Sequence, residues 1–272
     1  MEKHKGNAKS HQEVGKVSLW RFLVSVLTIT EFELRKLRHD SSQVFLRVIQ
    51  PALWLLIFGQ VFANIRVLPG GSTDYLQFLT PGILAQSVIF VAIFYGLMLV
   101  WERDLGLLHK LLSTPVPRSS IVVGKSFSAG VRSMFQAIVI FILALVIHVN
   151  LNVTPITIVG VMAIIVLTGM CFSSLSMLLA SLLKNRERMM GVGQAITMPL
   201  FFASSAIYPI SIMPDWLKVI ARVNPLSYVV DAMRSLLITG QLSSVPTDLG
   251  AIVLATVVIT ALACLSFSQI IG

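Results

Sequence analysis

Between Arg132 and Lys184 the chain runs for 51 positions, Ser133 to Leu183, without one Asp, Glu, Lys or Arg. As a single helix this stretch would measure about 77 Å at 1.5 Å per residue, against a bilayer core of about 30 Å. It must therefore make two crossings. The break falls at His148–Pro155, HVNLNVTP, where polar residues, helix-capping types and a proline gather. A chain built this way is a polytopic membrane protein. Only 12% of its residues are charged and 56% are hydrophobic, where soluble proteins carry about 25% charged residues.

Other charge-free runs mark further spans. Val48–Ile65 gives 18 residues, Tyr75–Trp101 gives 27, Met189–Pro214 gives 26 and Leu249–Gly272 gives 24. The predicted fold is all-α, with six transmembrane helices at approximately 44–65, 76–101, 122–148, 155–183, 189–211 and 249–271. Residues 1–16 are polar and basic and read as a flexible tail. Residues 17–40 join Trp20, Phe22, Leu23, Val26, Ile29 and Phe32 to the charged run ELRKLR. This reads as an amphipathic helix in the membrane interface; the alternative is a short hydrophobic helix packed against the bundle. The first long apolar run follows about forty polar residues, so a cleaved signal peptide is not expected.

Lys and Arg set the orientation. With the N-terminus inside, cytoplasmic connections hold seventeen of them and external ones four, a positive-inside bias that makes both termini cytoplasmic. The net charge of +9 is thereby accounted for by orientation and lipid headgroups, with no need of nucleic acid. The segment 212–246 is too charged to span and too apolar to float, and reads as short external re-entrant helices, covered at depth by protein or a cavity. Within it Asn224-Pro225 is a helix start, and Asp231 and Arg234 are spaced to pair on one face.

No catalytic or metal-binding set emerges. Val123–Ser126, VGKS, resembles part of a phosphate-binding loop, but Ser119 stands where the leading Gly belongs. Cys171 and Cys264 lie in apolar runs and read as small packing residues. The span middles lack Asp, Glu, Lys and Arg, which argues against a proton-coupled carrier. Lys125 and Arg132 enter the third span only over its first turns, where they can snorkel. Gln60, Gln86, Ser87, Gln194 and Ser173, Ser174 and Ser176, with Gly160, Gly169, Gly191 and Gly193, read mainly as helix-packing positions. Phe58, Phe62, Phe90, Phe94, Phe201 and Phe202 are candidates to line an apolar path, with core or lipid-facing positions as the alternative.

One stretch interrupts this pattern: Trp101–Lys125, WERDLGLLHKLLSTPVPRSSIVVGK, a charged, proline-punctuated island between two spans. Leu107, Leu108, Leu111 and Leu112 recur at helical spacing as an apolar stripe, suited either to a partner's groove or to lipid. Pro115 and Pro117 stop that helix.

Glu102-Arg103 with Gly106, then Leu111–Ser119 and Gly124-Lys125, and later YPISIMPDWL (Tyr208–Leu217) and NPLSYVVDAMR (Asn224–Arg234), resemble the permease subunit of an ABC-2 type exporter, most closely the daunorubicin-resistance type. The resemblance covers the chain from about Val17. It implies that 102–118 is a cytoplasmic coupling segment seated in a cleft of a separate ATPase. The coupling residues would be Glu102, Arg103, Asp104, Gly106, Leu108, Lys110, Pro115 and Arg118, and the outer gate Tyr208, Pro209, Pro214, Asn224, Pro225 and Tyr228. It also implies two ATPase subunits carrying ATP and Mg, a second permease copy or relative, and no cofactor in this chain. The expected cargo is an amphiphile: a drug, lipid or lipid-linked glycan. A non-transporting membrane assembly protein is the alternative, and a secondary carrier a weaker one.

Overall fold

The computed structural model describes residues 19–39, 48–59, 61, 75–114, 116–182, 186–241 and 243–271; the predicted tail, Phe62, Gln60 and Pro115 lie outside them. All regular structure among these residues is helical: α1 (Leu19–His39), α2 (Val48–Ile57, closing in a wide turn over Trp54–Phe58), α3 (Tyr75–Asp104), α4 (Leu107–Leu112), α5 (Arg118–Val146), α6 (Pro155–Leu182), α7 (Arg186–Phe202), α8 (Asp215–Val223), α9 (Pro225–Arg234) and α10 (Val245–Ile271).

Four of these, α3, α5, α6 and α10, are long and apolar enough to cross a membrane. The expected first and fifth spans are represented among the described residues by the shorter apolar helices α2 and α7. Helix α7 ends at Phe202, short of the expected 211. The Asn224 amide donates to the carbonyls of Leu200 at 2.7 Å and Ala203 at 3.1 Å, so the helix end is satisfied by a side chain 24 residues ahead.

Helix α3 is the central post. It is apolar all round, and 83% of its most apolar window is buried, against 17% for α10; a helix buried on every side has nowhere to put a polar face. Close crossings pack its neighbours. A Cβ on Gly169 of α6 would stand 2.6 Å from the Gly130 Cα of α5, and one on Gly96 of α3 would stand 2.6 Å from the Ser173 carbonyl. Ser176 donates to the Ile93 carbonyl at 2.6 Å, and Ser174 bonds Ser126 and Thr260 at 2.7 and 2.9 Å. Small and hydroxyl residues thus hold helices together as they do in lipid-facing bundles. Among the described residues nothing stands within 4 Å of a Cβ position on Gly191, so this predicted packing position makes no such contact with them.

Helix α1 lies along α5. Val26, Ile29, Thr30 and Glu33, at i, i+3, i+4 and i+7, are buried, and the Ile29 side chain and Val26 carbonyl close over Gly124. Leu19, Trp20, Leu23, Val24 and Leu27 form a second, exposed apolar face, and Arg21, Thr28, Glu31 and Arg35 a polar one. The break between α5 and α6 turns on His148, whose φ is 59°, and Asn152 is tied to the Leu237 carbonyl at 2.7 Å.

Candidate functional site

Glu102, Arg103 and Asp104 continue α3 without a break, so the island begins as the end of the central post. The chain reverses at Leu105-Gly106, where Gly106 takes a left-handed φ of 72° that a side chain would strain. Helix α4 is then a single six-residue element, closed by Ser113 and Thr114, whose hydroxyls donate to Lys110 and Leu111 carbonyls. After Pro117 the chain enters α5 at Arg118.

Of the four stripe leucines, Leu108, Leu111 and Leu112 face the protein itself, while Leu107 is exposed. Leu108 is 2% exposed and sits in a cluster with Ile29, Leu99, Ile121, Met177 and Phe267, with Leu111 and Leu112 packed against it. So short a helix has one apolar face, and here that face joins a cluster shared by other helices of the bundle. The outward face carries Leu105, Leu107, His109 and Lys110, with Arg118 exposed beyond. Arg103 pairs with Asp104 at 2.9 Å.

Glu102 also turns inward. Its carboxylate accepts from Lys125 at 2.5 Å and from Lys36 at 3.0 Å, and both ammonium groups also bind Glu33, at 2.7 and 3.3 Å. Lys125 is 4% exposed. The expected snorkelling of this lysine is therefore corrected: two carboxylates compensate its burial. Arg132 likewise turns to α1, donating to the Glu33 backbone carbonyl and lying over the Tyr95 ring at 4.4 Å. Burial pushes the Glu33 carboxyl up, but the charge and hydrogen bond of Lys125, with the charge of Lys36, outweigh it and hold the group at about 2. Sequence reasoning missed Glu33; the available signal was a lone carboxylate on the same face as Val26, Ile29 and Thr30.

At the opposite end, the expected gate residues lie at helix ends. The Asn224 carbonyl oxygen accepts from the Leu226 amide at 3.0 Å, starting α9, while its amide closes α7. Tyr208 donates to the Phe202 carbonyl at 2.5 Å and Tyr228 to the Arg222 carbonyl at 2.7 Å, each at a helix end. Pro209 and Pro214 precede a short turn (Ile210–Ile212) and α8, and Pro225 opens α9. Arg234 donates to Asp231 at 3.0 Å and to the Ser205 carbonyl at 2.8 Å, and lies 3.9 Å over Phe78 of α3. Burial raises the Asp231 carboxyl despite the opposing Ser205 hydrogen bond and Arg234 charge. The turn after α7 presses on the post, since a Cβ on Gly82 would stand 2.3 Å from the Ala206 carbonyl oxygen.

Between α7 and α8 lies an apolar cavity of about 930 Å³, lined by Pro199, Phe202, Tyr208, Trp216, Ile220 and Asn224 among others. Trp216, Val219, Ile220 and Val223 are exposed along α8. Of the predicted path-lining aromatics, Phe202 reaches this cavity, Phe201 is buried against Trp54, and Phe90 and Phe94 stack on each other on α3. The Phe58 side chain lies outside the described residues.

Membrane-length helices around a buried post, a polar reversal at one end and capped helical turns at the other define an integral membrane protein. The chain belongs to the ABC-2 type transporter family, whose model matches residues 24–238. It is 32% identical over 211 residues to the ycf38 transport permease of Pyropia yezoensis, covering 76% of this chain and 72% of that one. It is 24% identical over 200 residues to the daunorubicin resistance ABC transporter permease protein DrrB1 of Streptomyces coeruleorubidus, covering 74% and 70%. With the inner membrane transport permease YadH of Escherichia coli K12 it shares 26% over 196 residues, covering 69% and 72%. The protein is a transporter permease subunit, and this family membership implies association with an ABC ATPase.

Proposed function

We propose that this chain is the permease of an ABC exporter, driven by ATP hydrolysis in a separate subunit and moving an amphiphilic or lipid-like substrate outward across the cytoplasmic membrane. Two ATPase subunits bind below two permeases, which are either copies of this chain or this chain and a relative. Both termini are cytoplasmic, and α1 lies in the inner interface, where its apolar face meets lipid and its polar face meets water.

One observation carries the reading. A single 30-residue helix, α3, ends at the island on one side and beneath the capped outer turns on the other. At 1.5 Å per residue it is about 45 Å long, so displacement of α4 reaches the outer cavity along one rigid element. The exposed Leu107, His109 and Lys110 offer the ATPase a small mixed surface, in place of the leucine stripe. The cavity beside Tyr208 and Asn224 suits an apolar tail, its 930 Å³ falling near the top of the roughly 300–1,000 Å³ range of ligand pockets.

Reconstitution with the ATPase in proteoliposomes tests this. Hydrolysis stimulated by an amphiphile, with ATP-dependent loss of a fluorescent lipid analogue from the cytoplasmic leaflet, is the expected result. Filling the cavity with Ala203→Trp reduces export while the basal ATPase rate persists. ATP-independent movement, or movement driven by a proton gradient, would sink the proposal.

A further inference from the structure

Tyr75, Phe78 and Gly82, spaced to share one face of α3, meet the chain just after α7, which is not helical over residues 203–208. Tyr75 donates to the Ile207 carbonyl at 3.4 Å, and Gly82 lies against the Ala206 backbone with no room for a Cβ. Phe78 reaches the same turn through Arg234, whose guanidinium lies 3.9 Å from the ring centroid. The guanidinium fork divides between Asp231, at 3.0 Å, and the Ser205 carbonyl, at 2.8 Å. The Ser205 hydroxyl donates in turn to Asp231 at 2.8 Å. Helix α9 thus grips Ser205 by both its carbonyl and its hydroxyl, and Ala203 and Tyr208, on either side of it, line the outer cavity. Hydrogen bonds weaken steeply with misalignment, so the turn and α9 stay together when either moves. The contact with α3 is of another kind: a flat cation on a ring face, which transmits a push without a directional bond. Phe78 is buried and stacks on Tyr75 at 6.4 Å, so its ring has little room to turn aside.

We propose that Arg234 is a positioning residue through which α3 moves the wall of the outer cavity. Displacement of α3 drives the Phe78 ring against the guanidinium. The guanidinium carries the Ser205 carbonyl, and Ala203 and Tyr208 move with it. Lysine cannot serve in its place: a point charge keeps Asp231 but has neither the flat face for Phe78 nor the fork that spans Asp231 and Ser205. The inference rests on the reading of α3 as the element that brings displacement to the cavity, and names the contact that hands it on.

Nitroxide labels in the permease–ATPase complex in lipid nanodiscs test it, with Cys264→Ala removing the partly exposed thiol. Labels at the exposed positions Met98→Cys on α3, Ile212→Cys just beyond the wall and Val257→Cys on α10 are read in pairs, nucleotide-free and after trapping with ATP and vanadate. With native Phe78 and Arg234, both Met98 and Ile212 are expected to shift relative to Val257. In Phe78→Leu, which leaves the hydrogen bonds of Arg234 in place, Met98 still shifts and Ile212 does not. Export per ATP hydrolysed then falls by about fivefold or more, with complex yield and basal hydrolysis retained. Arg234→Lys gives the same readout, and Phe78→Tyr, which keeps the ring face, behaves as the native protein. An Ile212 shift that survives both Phe78→Leu and Arg234→Lys, or one absent from the native protein while Met98 shifts, overturns the proposal and leaves the role of α3 standing. If Met98 does not shift in the native protein, both fail. Equal loss of yield, hydrolysis and export in Phe78→Leu and Arg234→Lys would reduce the contact to a folding element and also overturn the proposal.

Discussion

Lys125→Met removes the cation that two carboxylates share and replaces it with a side chain of similar length, so little cavity is created. Glu33 and Glu102 are left facing each other, with side chains 3% and 17% exposed, and among the described residues Lys36 and Arg132 are the cations that remain close by. Removing one partner of a buried ion pair costs about 3–5 kcal/mol. The Glu33 carboxyl, held at about 2 against an ordinary 4.5, gives a similar figure of roughly 3 kcal/mol. The sign of the pH dependence discriminates best. In the native protein the folded-state value is depressed, so this contribution is complete above about 4.5 and is lost as pH falls towards 2. In Lys125→Met burial dominates and the carboxyl is raised, so acidification from pH 7 towards 5 stabilises the variant relative to the native protein, whose Glu33 contribution is flat over that range. Thermal unfolding in detergent–lipid micelles across that range reads both effects. Lys125→Met with Glu33→Gln recovers much of the loss, because no unpaired charge then remains in the pair. A variant as stable as the native protein, or one with the same pH profile, would refute the reasoning.

Asn224→Ala removes the start of α9 and the closure of α7 together and costs about 2–4 kcal/mol; Asn224→Asp keeps the Leu226 contact, loses both donated bonds and falls between. Both lower export more than ATPase co-purification, since the cap lies at the far end of α3. Gly82→Ala cannot be absorbed by a side-chain rotation, because the obstacle is the Ala206 backbone; proteolysis should show the turn after Phe202 opened while α5 and α6 stay protected. Gly106→Ala meets no atom within 4 Å but must hold a left-handed backbone, costing about 1 kcal/mol; it lowers the Tm slightly and weakens ATPase binding.

What the sequence made legible was local. The island's exit is written in Pro117, and Asn224-Pro225 marks a helix start that the structure contains. The Asp231–Arg234 pair is a three-residue spacing and formed as expected. What stayed hidden depends on distant partners. Glu33 and Lys125 are 92 positions apart, so neither side's local pattern tells that the other will compensate it. A leucine stripe specifies a buried face but not whose surface buries it, and Leu108 turned to its own bundle. The uncharged run after Met189 measured apolarity, whereas the end of α7 is set by an amide 24 residues further on. The motif around Tyr208 and Tyr228 marks them as outer-gate residues, and the helix ends that their hydroxyls bond have positions that only the fold reveals.

On the proposed function, the ATPase engages the island through its outward face. A photo-crosslinking residue placed in turn at Leu107, Leu108, His109 and Lys110 of the assembled complex tests it most directly. Crosslinks to the ATPase are expected from Leu107, His109 and Lys110, and intramolecular crosslinks from Leu108. Capture of the ATPase by Leu108, or by none of the four, would contradict it.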